Sequence, residues 1–183
     1  MKKLKVDWIM LEAAFDDASM EHSHYLDLQT GEVLFISDDE RRYLEQSYEA
    51  GEFDDAADLG ESEPEPEPDN RSAPDWEDEG RRQARRIAED TTDRYVAIPP
   101  ADSREGYRDM EDFIDTLSDE RLQELLSVAI QGSGAFRRFK DVLARYPVER
   151  ERYFKFKDQR VRERMMEWLN SLDIEPIEGP RRS

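Results

Sequence analysis

The chain has no cysteine among its 183 residues. Disulfides, thiolate metal ligands and thiol nucleophiles are therefore excluded, and the fold is indifferent to the redox state of its compartment. Histidine is nearly as scarce, with only His22 and His24. No apolar run approaches the roughly 18 residues of a membrane span. The Met1-Lys2-Lys3 start is followed too soon by Asp7 and Glu12 to read as a signal peptide. These absences predict a soluble, cytoplasmic protein with no membrane partner. Also missing are a Ser/His/Asp set, zinc-ligand spacing, a dinucleotide fingerprint and an RNA-binding aromatic motif, which lowers the expectation of an enzyme.

Acid is what the chain has in excess: 46 Asp and Glu against 27 Lys and Arg, for a net charge of −19. Such a surface repels nucleic acid and anionic lipid unless a basic patch acts alone. Residues 133–172 are the one net-positive stretch, with 11 basic and 6 acidic side chains. Residues 51–75 lie at the other extreme. They hold Glu63-Pro-Glu-Pro-Glu-Pro-Asp69 and one cation, Arg71, where prolines and like charges oppose both helix and strand ladders. Residues 53–74 are accordingly expected to be a disordered acidic insert acting as a solvated spacer, with a basic partner as the second reading.

The expected architecture is α+β. Residues 6–18 read as a helix capped by Asp7, with Trp8, Leu11 and Phe15 on one face. Two short β-rich runs around Thr30-Gly31 give a hairpin, and Ser37-x-x-Glu40 is a capping box opening the next helix. An exposed, charged helix is expected over 76–90. Tyr95–Ile98 before Pro99-Pro100 reads as a third strand, completing a small antiparallel three-stranded sheet. Helices follow, one capped by Asp102 or Ser103 and the next by Ser118. The pair across Pro147 forms a C-terminal helical hairpin, because short connections favour antiparallel neighbours. Phe136, Phe139, Phe154 and Trp168 are its expected buried rings. The organisation is thus one α+β domain made of residues 1–52 and 75–172, interrupted by the insert at 53–74 and ending in a flexible tail over 173–183.

Gly132-Ser133-Gly134 breaks one apolar-periodic run and opens another. It reads first as a left-handed helix end, where glycine costs least. Its second reading is an anion site, in which free N–H groups of the next helix, with Gly132, Gly134, Arg137, Arg138 and Lys140, hold a phosphate-bearing ligand or nucleic acid. Asp109 and Asp112 lie on a crowded acidic helix; they form a solvated face, or an acidic partner face that pairs with Arg137, Arg138 or Lys140 across the core. An acid/base pair built on them ranks third among functions. His22-x-His24 with Asp27 is weighed as a metal site and set aside as surface. No catalytic residue, cofactor or metal ligand is assigned.

Several stretches together, VDW at 6–8, YLDLQTGEV at 25–33, RYVAIPP at 94–100, GYRDMEDFI at 106–114, GAFRRFKDVL at 134–143 and YPVERERYFKF at 146–156, resemble an uncharacterised bacterial protein family of the UPF series. The resemblance implies no activity, cofactor or substrate. It implies that the insert is a dispensable elaboration and that the Gly132–Arg138 turn belongs to the shared fold. The leading expectation is a non-enzymatic protein-interaction or regulatory module with a protein partner; phosphate or nucleic-acid binding at Gly132–Arg138 is the alternative.

Overall fold

In the structure, a computed structural model, residues 1–19, 21–49 and 75–177 are described. The expected insert at 53–74 and residues 178–183 of the expected tail lie outside them. The elements in order are β1 (Lys2–Leu4), α1 (Trp8–Asp16), β2 (His22–Asp27), β3 (Val33–Ser37), α2 (Asp38–Glu49), α3 (Asp75–Ala88), β4 (Tyr95–Ala97), α4 (Ser103–Asp115), α5 (Glu120–Ala129), α6 (Ala135–Leu143), α7 (Pro147–Ser171) and β5 (Ile174–Pro176). The class is α+β. Contacts divide the chain into two units: Met1–Ala18 with Pro99–Ser183, and Ser19–Ile98.

The second unit is built on the antiparallel sheet β3-β2-β4, the three-stranded sheet expected from the hairpin and Tyr95–Ile98. Leu26, fully buried, pairs with Val33 on one side and Val96 on the other. Gly31 takes φ +77° in the turn, a conformation that glycine enters without a Cβ clash. Asp27 closes this turn. Its carboxylate accepts the Gln29 N–H at 2.7 Å and two donors of Arg94, Nε at 2.9 Å and a terminal nitrogen at 2.5 Å. The capping box forms as its spacing requires: Ser37 N–H donates to Glu40 at 2.7 Å and Glu40 N–H to the Ser37 hydroxyl at 3.3 Å. α3 departs from the wholly exposed helix expected of so charged a stretch. Its small and apolar Gly80, Ala84 and Ile87 recur at three and four residues and share one side; Ala84 is buried with Ile36. A Cβ on Gly80 would stand 1.7 Å from a Glu40 carboxylate oxygen, so glycine keeps room there for the capping box.

The first unit is helical at its centre. Met110, Phe113 and Ile114 of α4, Leu122 and Leu126 of α5, Phe139 and Leu143 of α6, and Tyr153 of α7 make one buried cluster. Phe139 and Tyr153 meet edge to face at 4.8 Å across the α6–α7 hairpin, with Phe113 5.1 Å from Tyr153. Burying rings of this size contributes roughly 1.5–3 kcal/mol each. Pro147 occupies the first turn of α7, where its missing N–H is harmless. Farther along, Val161, Met165 and Leu169 are buried, and Trp168 is half-buried, edge-on to Phe15 of α1 at 5.6 Å. The expectation for the other two rings fails. Phe136 and Phe154 are 40% and 44% exposed, because Ala135, Phe139 and Leu143 form the buried side of α6 and the buried stripe of α7 steps back in fours from Leu169 to Tyr153. Phe154 is one residue further, about 100° around the helix.

Two further differences concern ends. Asp119, not Ser118, caps α5, accepting from Arg121 and Leu122 N–H groups. Residues 174–176, assigned to a loose tail, form β5, which pairs in parallel with β1 and buries Ile174. A three-residue strand is too short to show periodicity. No helix among the described residues is long and apolar enough to cross a membrane.

Candidate binding groove beside a buried carboxylate

The glycine turn was the first site named by the sequence. Gly132 and Gly134 both take left-handed φ, +72° and +80°. α5 is capped by Ile130, so Gly132 lies in the turn two residues past that cap rather than ending the helix itself, and Gly134 opens α6 as its N-cap. Arg138 then folds back over the turn. Its Nε donates to the Ala129 carbonyl at 2.9 Å, and its terminal nitrogens to Ser133 and Gln131 carbonyls at 2.5 Å each. One guanidinium thus satisfies the last carbonyl of α5, that of Ala129, and two carbonyls of the turn that follows it. Gly134 suits its left-handed φ, and a Cβ there would also stand 3.1 Å from the Arg138 terminal nitrogen, which would have to shift by a few tenths of an ångström. Of the other cations in the expected anion site, Arg137 is 90% exposed with Asp141 at 3.9 Å, and Lys140 is exposed. The turn is lined instead by α4. Arg104, Tyr107, Arg108 and Glu111, with Gly132–Phe136, line a shallow, open depression of about 530 Å³. Arg104 and Arg108 escaped the sequence reading; their spacing of four on either side of Gly106-Tyr107 was the available signal.

The acidic helix finds other partners than expected. Asp109 is 3% exposed, and its two oxygens face Arg164 at 2.5 Å and the Arg160 Nε at 3.5 Å. Arg160 also pairs with Asp112, and Arg164 with Glu105 at 3.3 Å. The result is a ladder of alternating charge between α4 and α7, Glu105–Arg164–Asp109–Arg160–Asp112. Arg137, Arg138 and Lys140 take no part, because Ala135, Phe139 and Leu143 form the buried side of α6 and carry those cations away from α4. Residues 160 and 164, one turn apart, lie on the α7 face that meets α4. Arg160 also lies 5.5 Å from the Phe156 ring centre. Asp109 and Asp112, weighed as an acid/base pair, are instead members of an ion-pair ladder. Next to it, burial pushes the Tyr153 hydroxyl up to about 12, with Asp109 and Asp16 adding to the shift.

His22 and His24 sit on β2 with their rings against Phe35, at 4.7 and 5.4 Å. Asp27 is out of phase with them in the two-residue period of the strand, and Arg94 takes its carboxylate. Among the described residues no group of three or more His, Asp or Glu is placed to hold a metal.

Beside the ladder, α1, α4 and α7 enclose a groove of about 470 Å³, within the range of ligand pockets. Phe15, Pro99, Pro100, Val161 and Trp168 give it an apolar wall. Asp102, Glu105, Asp109 and Glu167 line it as well, and Lys157 pairs with Asp16 at 2.5 Å. No local pattern marks this groove, since its walls come from residues 15–16, 99–109 and 157–168 and none of these segments carries the pattern alone.

A family model described as Uncharacterised protein family (UPF0158) matches residues 75–179, a span that takes in α4, the glycine turn and α7. Among curated proteins, a UPF0158 protein of Pseudomonas aeruginosa is 24% identical over 176 residues, covering 96% of this chain and 88% of the relative. No solved structure matches.

Proposed function

Because the chain belongs to the uncharacterised protein family UPF0158, a description that names no activity, we propose from its own geometry that it is a non-enzymatic binding module that seats a protein partner in the groove of α1, α4 and α7. The observation that supports this most is the commitment of Asp109 to Arg160 and Arg164. Among the described residues of this unit, its one buried carboxylate acts as a structural tie beside a groove with one apolar wall. A preorganised wall lowers the ordering cost of association, which suits recognition. The test is photo-crosslinking in cells from a benzophenone side chain placed at Glu167, on the groove, and at Asp158 as an exposed control. A discrete adduct from position 167 alone is expected, and it should vanish with Phe15→Ala. The same adducts from both positions, or none from 167, would overturn the proposal.

A second reading has its own observation. Arg104 and Arg108 line the cavity at Gly132–Phe136, and neither is ion-paired with a described residue. There they favour a phosphate-bearing ligand. NMR titration with inorganic phosphate and a short single-stranded RNA is expected to move the amides of 133–137, with the RNA response weakening steeply as salt rises. Arg104→Ala with Arg108→Ala should abolish both. Unmoved amides in the wild type refute this reading.

A further inference from the structure

We infer that the groove of α1, α4 and α7 recognises a basic segment of a partner protein, with a lysine or arginine side chain laid along the Phe15–Trp168 wall. The inference rests on the binding-module reading and adds the partner's chemistry. Its first support is charge. The groove is lined by five carboxylates and two cations. Both cations are already spent inside the wall, Lys157 on Asp16 and Arg164 on Glu105 and Asp109. Glu167 is exposed and has no charged partner among the described residues, while Asp102 faces only the N–H that it caps. An anion entering here would meet uncompensated carboxylates. A neutral apolar group would strip water from them and return no hydrogen bond.

The second support is the kind of apolar wall beside those acids. Lysine and arginine carry a long aliphatic stem that packs on apolar surface while the charged head stays polar. Phe15, Pro99, Pro100 and Val161 match the stem. Trp168, the ring type that attracts cations best, is half-buried and lines the cavity, so part of its indole is open to the head group. Charge alone or aromatics alone would leave the ligand class open; side by side they select a cation on an apolar stem. A chain at net −19 also draws such a segment in by long-range attraction.

The test is an NMR titration of the full chain with the capped pentapeptide acetyl-Gly-Arg-Gly-Lys-Gly-amide, with a counterpart in which both basic residues are norleucine, and with spermidine. The expected result is a shift of the Trp168 indole N–H and of the Ala101 and Gly106 amides by the basic peptide. Binding should be at least about tenfold weaker for the norleucine peptide, for spermidine, and for Glu167→Lys protein. Thermal unfolding would check that this variant is folded. Equal binding of the norleucine peptide overturns the cation requirement and leaves the binding-module reading standing. Equal binding of spermidine overturns the choice of a protein segment. If no probe moves these signals, the inference falls, and a crosslinked adduct from position 167 then decides whether the binding-module reading falls with it.

Discussion

Replacing Arg138 by methionine keeps most of the aliphatic stem and deletes three donors at once. Only the bond from Nε to the Ala129 carbonyl is partly buried; those to Ser133 and Gln131 are exposed. A partly buried hydrogen bond contributes about 1 kcal/mol and exposed ones a few tenths each. A cation at a helix C-terminus adds about 0.3–1 kcal/mol. The expected loss is then ~2 kcal/mol, equivalent to a fall of about 4–8 °C in the midpoint of a protein this size. Differential scanning calorimetry with urea unfolding reads it directly. Arg137→Met is the internal control, since Arg137 is 90% exposed and should change stability by less than about 0.5 kcal/mol. Arg138→Lys should recover only part of the loss, because an ammonium cannot reproduce the planar fork. Equal midpoints for the two methionine variants would refute the capping argument and return Arg138 to the list of candidate ligand residues.

Asp109→Asn leaves Arg160 and Arg164 beside a neutral amide. Losing one partner of a buried pair costs about 3–5 kcal/mol; partial exposure of both guanidinium groups reduces this to about 2–3 kcal/mol, read from the urea midpoint. Phe139→Ala should cost about 3–5 kcal/mol and Phe136→Ala less than about 1 kcal/mol, and a reversed order in chemical unfolding would place the core wrongly. Acid sensitivity follows from two carboxylates. Burial works to raise the Asp27 carboxyl, but Arg94 and the N–H groups of Gln29 and Thr30 together outweigh it and hold it below its usual value. The Thr92 hydroxyl and N–H hold Asp90 down to about 2. Both groups are depressed in the folded state, so their contribution is complete above the ordinary carboxylate value of 3.8 and lost as pH falls through the folded value. Asp27→Asn and Asp90→Asn should thus lower the denaturant midpoint at pH 7, with the gap to wild type closing as pH falls below the ordinary carboxylate value and, for Asp90, toward about 2. A gap that stays constant with pH would count against both assignments.

The features legible in the sequence were those with local causes. Gly31 marked the hairpin turn, Asp7 and Ser37/Glu40 marked helix starts, and Phe139 was rightly expected among the buried rings. Where the sequence reading failed, a distant partner decided. A glycine turn followed by arginines is the same string whether the guanidinium binds a foreign anion or its own backbone, and only the path of Arg138 to Ala129 separates the two. Asp109 had cations available on both α6 and α7, and the choice depended on which helix face turned toward α4. Phe154 and Tyr153 are adjacent, yet the four-residue steps of Val161, Met165 and Leu169 select Tyr153. The groove drew its walls from three separated segments, and β1 meets β5 across almost the whole chain.

That last pairing bears on how the molecule comes off the ribosome. Lys2–Leu4 find their partner only when Ile174–Pro176 have been made, although Ala101, whose N–H the Asp17 carbonyl accepts, is made well before them. The first unit is therefore discontinuous: its opening 18 residues are made before, and the remainder after, the stretch 19–98 that carries the second unit. Vectorial synthesis completes the unit that begins second before the unit that begins first, and the early α1, with its apolar side uncovered, must wait for α7.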